Sequence, residues 1–393
     1  TVFGTSQSRT NGKILFVSKD ATRNDTTNCD GSLEKPYHIE TVMDIVEASD
    51  SAKVIVEPGT TIAFLPGEYT GLTNSIHFRQ SGAYNAYIEM RPATVEDGIS
   101  PEQAAENGGK VLLNFSDMPL ADSNRGIQLY SNYVYWHDID VCGAGDNGIF
   151  VAGKYNTVEN CDLYNNRDTG LQLGREASVM TNIDQWPAYN LIKNCSAHNN
   201  YDNGGTYGEN ADGFAAKLSL GYGNVFDGCI AYRNSDDGWD LYAYASNGNI
   251  GTVLIQNCVA YENGYLETSR DEYTSFFKYG DNGFPDKRAA SQYMTYNGDG
   301  NGFKLGGSVM EGDVVLNNSM SFGNRMHGVT DNSNPGFLNI TEVTSYDNSA
   351  NINRETGKII AGNDNASHAN INVARQSYSY NNLNKVLSVK DIS

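Results

Sequence analysis

Residues 209–240 read ENADGFAAKLSLGYGNVFDGCIAYRNSDDGWD. This stretch covers one full period of a repeat that continues through most of the chain, and it contains four aspartates: Asp212, Asp236, Asp237 and Asp240. Asp212 directly precedes Gly213, and Asp237 directly precedes Gly238 one period later. The repeat therefore places a carboxylate at the same position in two neighbouring periods, and this coincidence decides both the fold and the candidate site.

The repeat is clearest in six segments that end in asparagine and carry an aromatic residue or histidine two positions earlier. They are NCDLYNN (160–166), NCSAHNN (194–200), GCIAYRN (228–234), NCVAYEN (257–263), NSMSFGN (318–324) and EVTSYDN (342–348). If the periods stack as turns, these positions form columns of asparagines, aromatic rings and, in four segments, cysteines. Asparagine tolerates the left-handed backbone region, so its column predicts a repeated tight bend. We expect the cysteines to be buried thiols, since none forms a CxxC pair.

A glycine opens a short strand in each period. Positions one and three after each glycine are mostly apolar, as in Ile149 and Val151 after Gly148, which is the alternation of a β-strand with those positions turned inward. Glycines recur after 22 residues (148 to 170) and after 26 residues (302 to 328). This period is too long for a hairpin and is typical of one three-sided turn of a parallel β-helix.

We therefore predict an all-β fold, a parallel β-helix solenoid that occupies residues 1–393 as a single domain. A first strand is predicted at 13–18, and an amphipathic helix at 39–48 would cap the N-terminal end of the solenoid. Further short strands are predicted at 53–56, 61–65, 75–78, 86–90 and 110–115. Two insertions, at about 201–212 and 264–301, leave the turn at the same corner, which is typical of segments that border a binding surface.

The register of the turns brings the aspartates together. Asp212 should lie beside Asp237 on the neighbouring turn, because parallel strands are about 4.8 Å apart. Asp236 and Asp240 belong to the same turn as Asp237. Such carboxylates would repel one another unless a cation binds them, and Ca²⁺ accepts a flexible cage of oxygen ligands. The alternative is a set of solvated aspartates at turns, which is less consistent with two turns contributing in register.

Three further residues of this face are candidates for chemistry. Lys304 is two positions after Gly302, as Asp240 is two positions after Gly238, so Lys304 should lie beside Asp240 and could act as a proton-abstracting base. Lys217 and Tyr242 share the face and are candidates for substrate binding, Lys217 through an anionic group and Tyr242 by stacking on a sugar ring. Each could instead be an ordinary surface residue.

Composition limits the possible partners. The chain has 27 basic and 47 acidic side chains and a formal net charge of −20, which argues against binding to a nucleic-acid backbone. An acidic protein that binds a polyanion would need a local positive charge, such as a bound cation, to offset the repulsion between them. No run of 18 apolar residues exists, so no membrane span is predicted. The first residues lack the apolar core of a signal peptide, so a mature secreted chain fits as well as a cytoplasmic one.

The motifs ADGF (211–214), NSDDGWDL (234–241) and NGFKLGG (301–307), on an asparagine-laddered solenoid, resemble polysaccharide lyase family 9, which includes pectate lyases and rhamnogalacturonan lyases. The resemblance covers roughly residues 13–382. It implies a right-handed β-helix, a Ca²⁺ held by the aspartates that match Asp212, Asp236, Asp237 and Asp240, and a base that matches Lys304. The long insertion at 264–301 and the sequence MHGVTDN (326–332) depart from the pattern and put the choice of substrate in doubt.

The function expected on these grounds is Ca²⁺-assisted β-elimination in an acidic pectic polysaccharide, either polygalacturonate or rhamnogalacturonan I. We expect a monomer that is secreted, periplasmic or on a bacterial cell surface, with its signal peptide absent from this chain. Two alternatives remain open: a β-helix hydrolase of pectin with paired aspartates as acid and base, and a non-catalytic carbohydrate-binding or adhesin β-helix.

Overall fold

The computed structural model describes residues 9–44, 49–202, 208–264, 298–307, 311–346 and 348, together with five strands at 351–353, 358–360, 371–374, 378–380 and 386–389. Residues 203–207 of the first predicted insertion and residues 265–297 of the second therefore lie outside the described residues. No described helix has the length and apolar character needed to cross a membrane.

Three long sheets form the body of the molecule. Sheet 1 contains the strands Ile14–Val17, Thr61–Phe64, Ile88–Pro92, Val134–His137, Thr157–Glu159, Leu191–Lys193, Asn224–Asp227, Val253–Gln256, Val314–Asn317, Leu338–Thr341 and Ile371–Ala374. Sheet 2 contains Gly67–Tyr69, Val111–Asn114, Ile139–Cys142, Asp162–Tyr164, Ser196–His198, Ile230–Tyr232, Val259–Tyr261, Met320–Phe322, Thr344–Tyr346, Tyr378–Tyr380 and Val386–Val389. Sheet 3 contains Ile76–Phe78, Ile127–Leu129, Ile149–Val151, Leu171–Leu173, Phe214–Ala216, Trp239–Asp240, Phe303–Lys304 and Val329–Thr330.

The chain visits sheets 3, 1 and 2 in turn and then returns to sheet 3, so each circuit is one turn of a parallel β-helix. Pairing within the three sheets is parallel, except between the last two strands of sheet 2, which are antiparallel. A separate antiparallel pair joins Asn351–Asn353 to Lys358–Ile360. The predicted all-β parallel solenoid is confirmed, and equal positions of successive turns lie side by side.

The N-terminal region contains both α-helices of the described residues and most of the differences from prediction. One helix, Ile39–Met43, is buried along its whole length, and residues 45–48 of the predicted capping helix lie outside the described residues. A second helix, Pro101–Ala105, was not predicted; Ser100 caps it by accepting a hydrogen bond from the Gln103 backbone. The predicted strand at 53–56 is wrong, because Val54 and Val56 are buried there without joining a sheet.

The interior of the solenoid is filled by the inward positions of the strands. Phe214, Trp239 and Phe303 are fully buried and occupy the same position of three successive turns, with ring centroids 5.0 and 4.8 Å apart. The residues that follow them, Ala215, Asp240 and Lys304, are paired in register and face away from this core. Successive side chains of a strand alternate between faces. Because the aromatic residues are buried in the core, the residues that follow them point to the outer face of sheet 3.

A ladder of buried asparagines connects the turns at one corner. Each side-chain amide donates to the side-chain oxygen of the next asparagine over 2.8–3.1 Å, in the order Asn166, Asn200, Asn234, Asn263, Asn324 and Asn348. The repeated bend predicted here is confirmed, but the left-handed residue is the one before the ladder asparagine in the first five of these turns, for example Asn199 (φ 53°) and Arg233 (φ 53°).

The other two columns are also present. The rings of Tyr164, His198, Tyr232, Tyr261 and Phe322 stack in that order with centroids 4.5–5.3 Å apart. All six cysteines are free thiols, and five of them are buried, which confirms the prediction made for the column Cys161, Cys195, Cys229 and Cys258. The thiols of this column are thus packed inside the solenoid. The reactive groups described next are the carboxylates clustered on sheet 3.

Candidate active site

Two adjacent turns of sheet 3 position the carboxylates as the register predicted. Gly213 donates its backbone N–H to the Asp237 carbonyl over 2.9 Å, so Asp212 and Asp237 lie side by side. The Asp212 carboxylate in turn accepts a hydrogen bond from the Asp237 backbone N–H over 3.1 Å. On the outward face, Asp240 pairs with Lys304 of the next turn. All four predicted aspartates are buried, with at most 4% of their surface exposed.

The structure divides these carboxylates into two overlapping groups. Asp212, Asp237 and Asp240 each offer an oxygen within 4.8 Å of the other two, and Asp236, Asp237 and Asp299 do the same. Asp237 belongs to both groups. Sequence reasoning did not identify Asp299, an exposed residue at the end of the long insertion, because the length of the insertion hides its register.

Backbone and amide donors hold the carboxylates in place. Asn301 donates both its backbone N–H (2.7 Å) and its side-chain amide (2.8 Å) to Asp237. Asp236 accepts from the backbone of Asn210 over 3.0 Å and from that of Asp299 over 2.6 Å. Asn301 was also missed, although it occupies in its turn the position that Asp237 occupies in the turn before, directly in front of the glycine. The carboxylate oxygens that remain are therefore fixed before any ligand arrives.

Both candidate lysines point into this cluster. The Lys304 ammonium lies 3.0 Å from Asp237 Oδ2 and 3.6 Å from Asp240 Oδ1. The Lys217 ammonium lies 2.8 Å from Asp212 Oδ2 and 3.4 Å from Asp240 Oδ2, and its side chain is only 8% exposed. Lys217 thus contacts the carboxylate cage directly.

Burial and mutual charge set the protonation of the site. Burial raises the pKa of Asp212, Asp236 and Asp237, with that of Asp237 reaching about 8 as Asp236 adds to the effect. Asp240 differs: burial opposes ionisation, but Lys304 and Lys217 outweigh it and lower the pKa of Asp240. Burial alone would lower the pKa of Lys304, but the surrounding aspartates raise it. In the absence of another cation, Lys304 therefore carries a proton.

The donor set fits a divalent cation. Asp237 Oδ2 is fully buried and accepts no hydrogen bond from any described residue, although it forms an ion pair with Lys304. When ionised, the aspartates of the two groups outnumber the two lysines, so the site has an excess of negative charge that a divalent ion would reduce. The available atoms are all carboxylate oxygens, the ligands that Ca²⁺ prefers, and soft or nitrogen ligands do not reach this group among the described residues.

A cleft of about 300 Å³ opens over the cluster. Its wall includes Tyr242, whose backbone N–H donates to Asp240 and whose ring centroid lies 5.9 Å from the Lys304 ammonium. Tyr244, half exposed at 51%, packs edge-on against Tyr242. Lys304, 12% exposed at its side chain, also lines the cleft, so a ligand there can contact its ammonium group. Tyr242 and Lys304 thus lie together on the wall of this cleft.

Fold and site together define a parallel β-helix with a buried aspartate–lysine centre in a cleft on one sheet. Residues 20–372 match the family described as "Pel9A-like, right handed beta helix region". Pectate lyase L of Paenibacillus polymyxa (strain SC2) is 40% identical over 300 residues, which are 76% of this chain and 58% of that protein. The chain therefore belongs to the Pel9A-like right-handed β-helix family, which confirms the resemblance to polysaccharide lyase family 9 and the right-handed fold.

Two solved structures agree with this assignment. The crystal structure of pectate lyase Pel9A matches with a TM-score of 0.67 at 26% identity, over 95% of this chain and 81% of that one. A rhamnogalacturonan lyase matches with a TM-score of 0.59 at 20% identity, over 97% and 90% of the two chains, and shares the fold. The chain spans about three fifths of the length of Pectate lyase L from Paenibacillus polymyxa.

Proposed function

We propose that this protein is a Ca²⁺-dependent pectic polysaccharide lyase that cleaves galacturonate-containing polymer by β-elimination, with Lys304 as the base. The observation that carries the proposal is the Lys304 ammonium beside Asp237 and Asp240 at the floor of a cleft, in a chain of the Pel9A-like family. The named relatives, Pectate lyase L and pectate lyase Pel9A, favour polygalacturonate as the substrate. Rhamnogalacturonan I is the second polymer to test.

The chemistry needs a base for the C5 proton, a positive charge that stabilises the developing negative charge, and a proton for the leaving oxygen. Lys304, as a neutral amine, would take the proton from C5 of a uronate, the C4–O4 bond would break, and a C4–C5 double bond would form while the leaving oxygen takes a proton from water. A Ca²⁺ held by Asp212, Asp236, Asp237 and Asp240 would neutralise the C6 carboxylate of the uronate and stabilise the developing charge. Because the aspartates are what raise the pKa of Lys304, any cation that they bind lowers it.

The reaction is tested by ultraviolet absorbance of the unsaturated product on polygalacturonate and on rhamnogalacturonan I, with and without a calcium chelator. We expect absorbance to rise only with free Ca²⁺ and to be larger on polygalacturonate. New reducing ends without the absorbance change, with or without chelator, would show a hydrolase instead. Binding of polymer without any new chain ends would show a non-catalytic module.

Variants of Lys304 test its role as the base. Lys304→Ala should lower turnover by about 10²–10⁴-fold, the usual contribution of a general base, and retain Ca²⁺ binding. Lys304→Arg should be nearly as inactive, because guanidinium stays protonated. Lys193→Ala is the matched control, since Lys193 pairs with Glu159 over 2.7 Å on sheet 1. Near wild-type rates in Lys304→Ala would remove Lys304 from the mechanism.

The metal site is tested separately by calorimetry. Asp237→Asn keeps the shape of the side chain but removes the charge shared by both carboxylate groups. We expect Ca²⁺ affinity to fall by more than about tenfold. Removing a group that only hydrogen-bonds to a metal ligand already lowers metal affinity by about that factor. Unchanged Ca²⁺ binding would contradict the assignment. The proposed setting is extracellular, periplasmic or cell-surface, and size-exclusion chromatography with light scattering should show a monomer.

A further inference from the structure

We propose that the N-terminal half of the same face is an anion-binding surface, formed by Arg79 and Arg125, that holds carboxylates of the polyuronate away from the bond being cleaved. The inference rests on the proposed function for the identity of the polymer. The surface itself is defined by two arginines, the aromatic rings beneath them, and their place on sheet 3.

The register of sheet 3 places this surface on the face of the aspartate–lysine centre. The outward row of the sheet reads, strand by strand, His77, Gln128, Phe150, Gln172, Ala215, Asp240, Lys304 and Thr330. Phe150 is three strands from Asp240, which is roughly 14 Å at the usual strand spacing of about 4.8 Å. A polymer lying along the solenoid axis on this face would therefore pass over both regions.

The arginines lie on aromatic rings of the outward face. The Arg125 guanidinium carbon is 3.7 Å from the ring centroid of Phe150, and that of Arg79 is 4.4 Å from the ring centroid of Tyr130. The two rings meet edge to face, 6.5 Å apart. Stacking on an aromatic ring fixes the plane of a guanidinium and leaves its edges available for hydrogen bonds. Each guanidinium is thus held in a defined orientation on one ring of the same edge-to-face pair.

Acidic neighbours orient the arginines further: Glu176 offsets the charge of Arg79, whereas Asp146 leaves most of the charge of Arg125 in place. Arg125 donates from Nε to Asp146 over 3.2 Å, and its terminal nitrogens form the edge suited to a bidentate carboxylate contact. Burial, together with the nearby Asp168, raises the pKa of Asp146 to about 9, so Asp146 is mostly neutral at pH 7. Arg79 pairs with Glu176 over 2.7 Å, and both side chains remain partly exposed, at 14% and 25%. The Arg125 side chain is 25% exposed, so a polymer carboxylate can reach its terminal nitrogens from solvent.

A polar column connects Arg125 to the carboxylate cluster. Backbone hydrogen bonds between successive turns align Arg125, Asn147, Thr169, Asp212 and Asp237 directly before the glycines of sheet 3. Asn147 donates to Gln172 over 3.1 Å, and Thr169 donates to Asp212 over 3.3 Å. The positions directly before the glycines are thus polar from Arg125 to Asp237. In a chain of net charge −20, two oriented arginines on this face are suited to a polyanion.

The experiment compares Arg125→Gln and Arg79→Gln with wild type on polygalacturonate and on a galacturonate trimer. We expect KM on the polymer to rise at least fivefold, kcat to stay within twofold, and both constants on the trimer to be unchanged, because a trimer at the centre does not reach the arginines. Arg233→Gln is the matched control: Arg233 is another arginine paired with a carboxylate, Glu262, over 2.8 Å, at a turn that follows sheet 2. Arg125→Lys should recover only part of the loss, since an ammonium lacks the bidentate edge.

Binding without turnover separates this surface from the proposed activity. Affinity electrophoresis in gels containing polygalacturonate is run on Lys304→Ala alone and combined with Arg125→Gln. Weaker retardation of the double variant supports the surface even if the wild-type protein forms no unsaturated product on any polymer. Equal retardation, or an equal rise in KM on trimer and polymer, would overturn the inference. Melting curves of each variant check that the fold is retained, and Arg125→Lys provides the reading if Arg125→Gln does not fold.

Discussion

At the scale of single residues, Lys217 is the side chain whose position matters most for cation binding. Its ammonium contacts oxygens of Asp212 and Asp240, the same carboxylates proposed to hold Ca²⁺, and the carbonyl of Asn210 over 3.4 Å. A lysine in this position stabilises the cage when no metal is bound. It also competes with a metal, because a dication and an ammonium repel each other at such distances.

We predict that Lys217→Met increases Ca²⁺ affinity by at least about tenfold, which corresponds to about 1.4 kcal/mol. The variant removes one positive charge from the cage and frees the Asp212 oxygen that Lys217 contacts. Isothermal titration calorimetry at constant ionic strength measures the change, with Lys193→Met as the control. Weaker binding in Lys217→Met would mean that Lys217 orients the ligands more than it competes with the ion.

At the scale of elements, the asparagine ladder joins the turns that carry the site. Asn234 accepts from the Asn200 amide and donates to Asn263 and to the Ala197 carbonyl, so one side chain serves three neighbours. It is fully buried and lies two residues before Asp236. The bend that places Asp236 and Asp237 thus depends on a hydrogen-bond chain in the same turn.

We predict that Asn234→Ala lowers the free energy of unfolding by about 3 kcal/mol, because it leaves more than one buried polar group unpaired at about 1–3 kcal/mol each. Urea denaturation followed by circular dichroism measures the loss. Asn74→Ala, at an exposed asparagine, should change stability by less than about 0.5 kcal/mol. Similar effects of the two substitutions would contradict a structural role for the ladder.

A single carboxyl on sheet 2 should make stability depend on pH. Burial raises the pKa of Asp140 from 3.8 to about 6. The folded state therefore keeps a proton that the unfolded state has lost, so this contribution is complete below pH 4 and disappears as the pH rises through about 6. Asp140→Asn, which can still accept the hydrogen bond from the Asp162 backbone, should remove a fall of about 1–2 kcal/mol between pH 4 and 6. The difference between wild-type and variant denaturation curves checks the sign, and an opposite slope would refute it.

At the scale of the whole molecule, the solenoid presents one continuous face to a polymer. Every predicted site residue lies on sheet 3 or in the turns that flank it, between the strands Phe214–Ala216 and Phe303–Lys304. A ligand at this site connects three successive turns. Binding should therefore stabilise the stack as a unit, because the unfolded chain does not hold the aspartates together.

We predict that Ca²⁺ at about a hundredfold above its dissociation constant raises the free energy of unfolding by about 2.7 kcal/mol, as expected for a ligand that binds only the folded state. Thermal melting at several Ca²⁺ concentrations, reversed by a chelator, measures the effect. Asp237→Asn should show a much smaller rise at the same concentrations. An equal rise in both proteins would place the stabilising ion elsewhere.

The repeat made much of the fold and the centre of the site predictable. Glycines and asparagines at equal spacing indicated stacked turns, and in such a stack equal positions become neighbours. The contacts of Asp212 with Asp237 and of Asp240 with Lys304 followed from this register alone. Where the repeat is weak, prediction failed: the segment 53–56 has apolar residues but no strand, and Asp299 follows an insertion whose length conceals its register.

The sequence by itself thus determined the parallel solenoid, the identity of the carboxylate face and the pairing of Lys304 with Asp240, because periodic spacing fixes which residues adjoin. Only the tertiary structure decided that the Lys217 ammonium contacts the carboxylates and that Asp299 forms a group with Asp236 and Asp237. It alone also decided that Arg79 and Arg125 lie on aromatic rings. These features depend on side-chain torsions and on irregular segments, such as the one that carries Glu176 from sheet 3 back to Arg79. A repeat does not constrain side-chain torsions or irregular segments, because both depend on packing against neighbours that are not periodic.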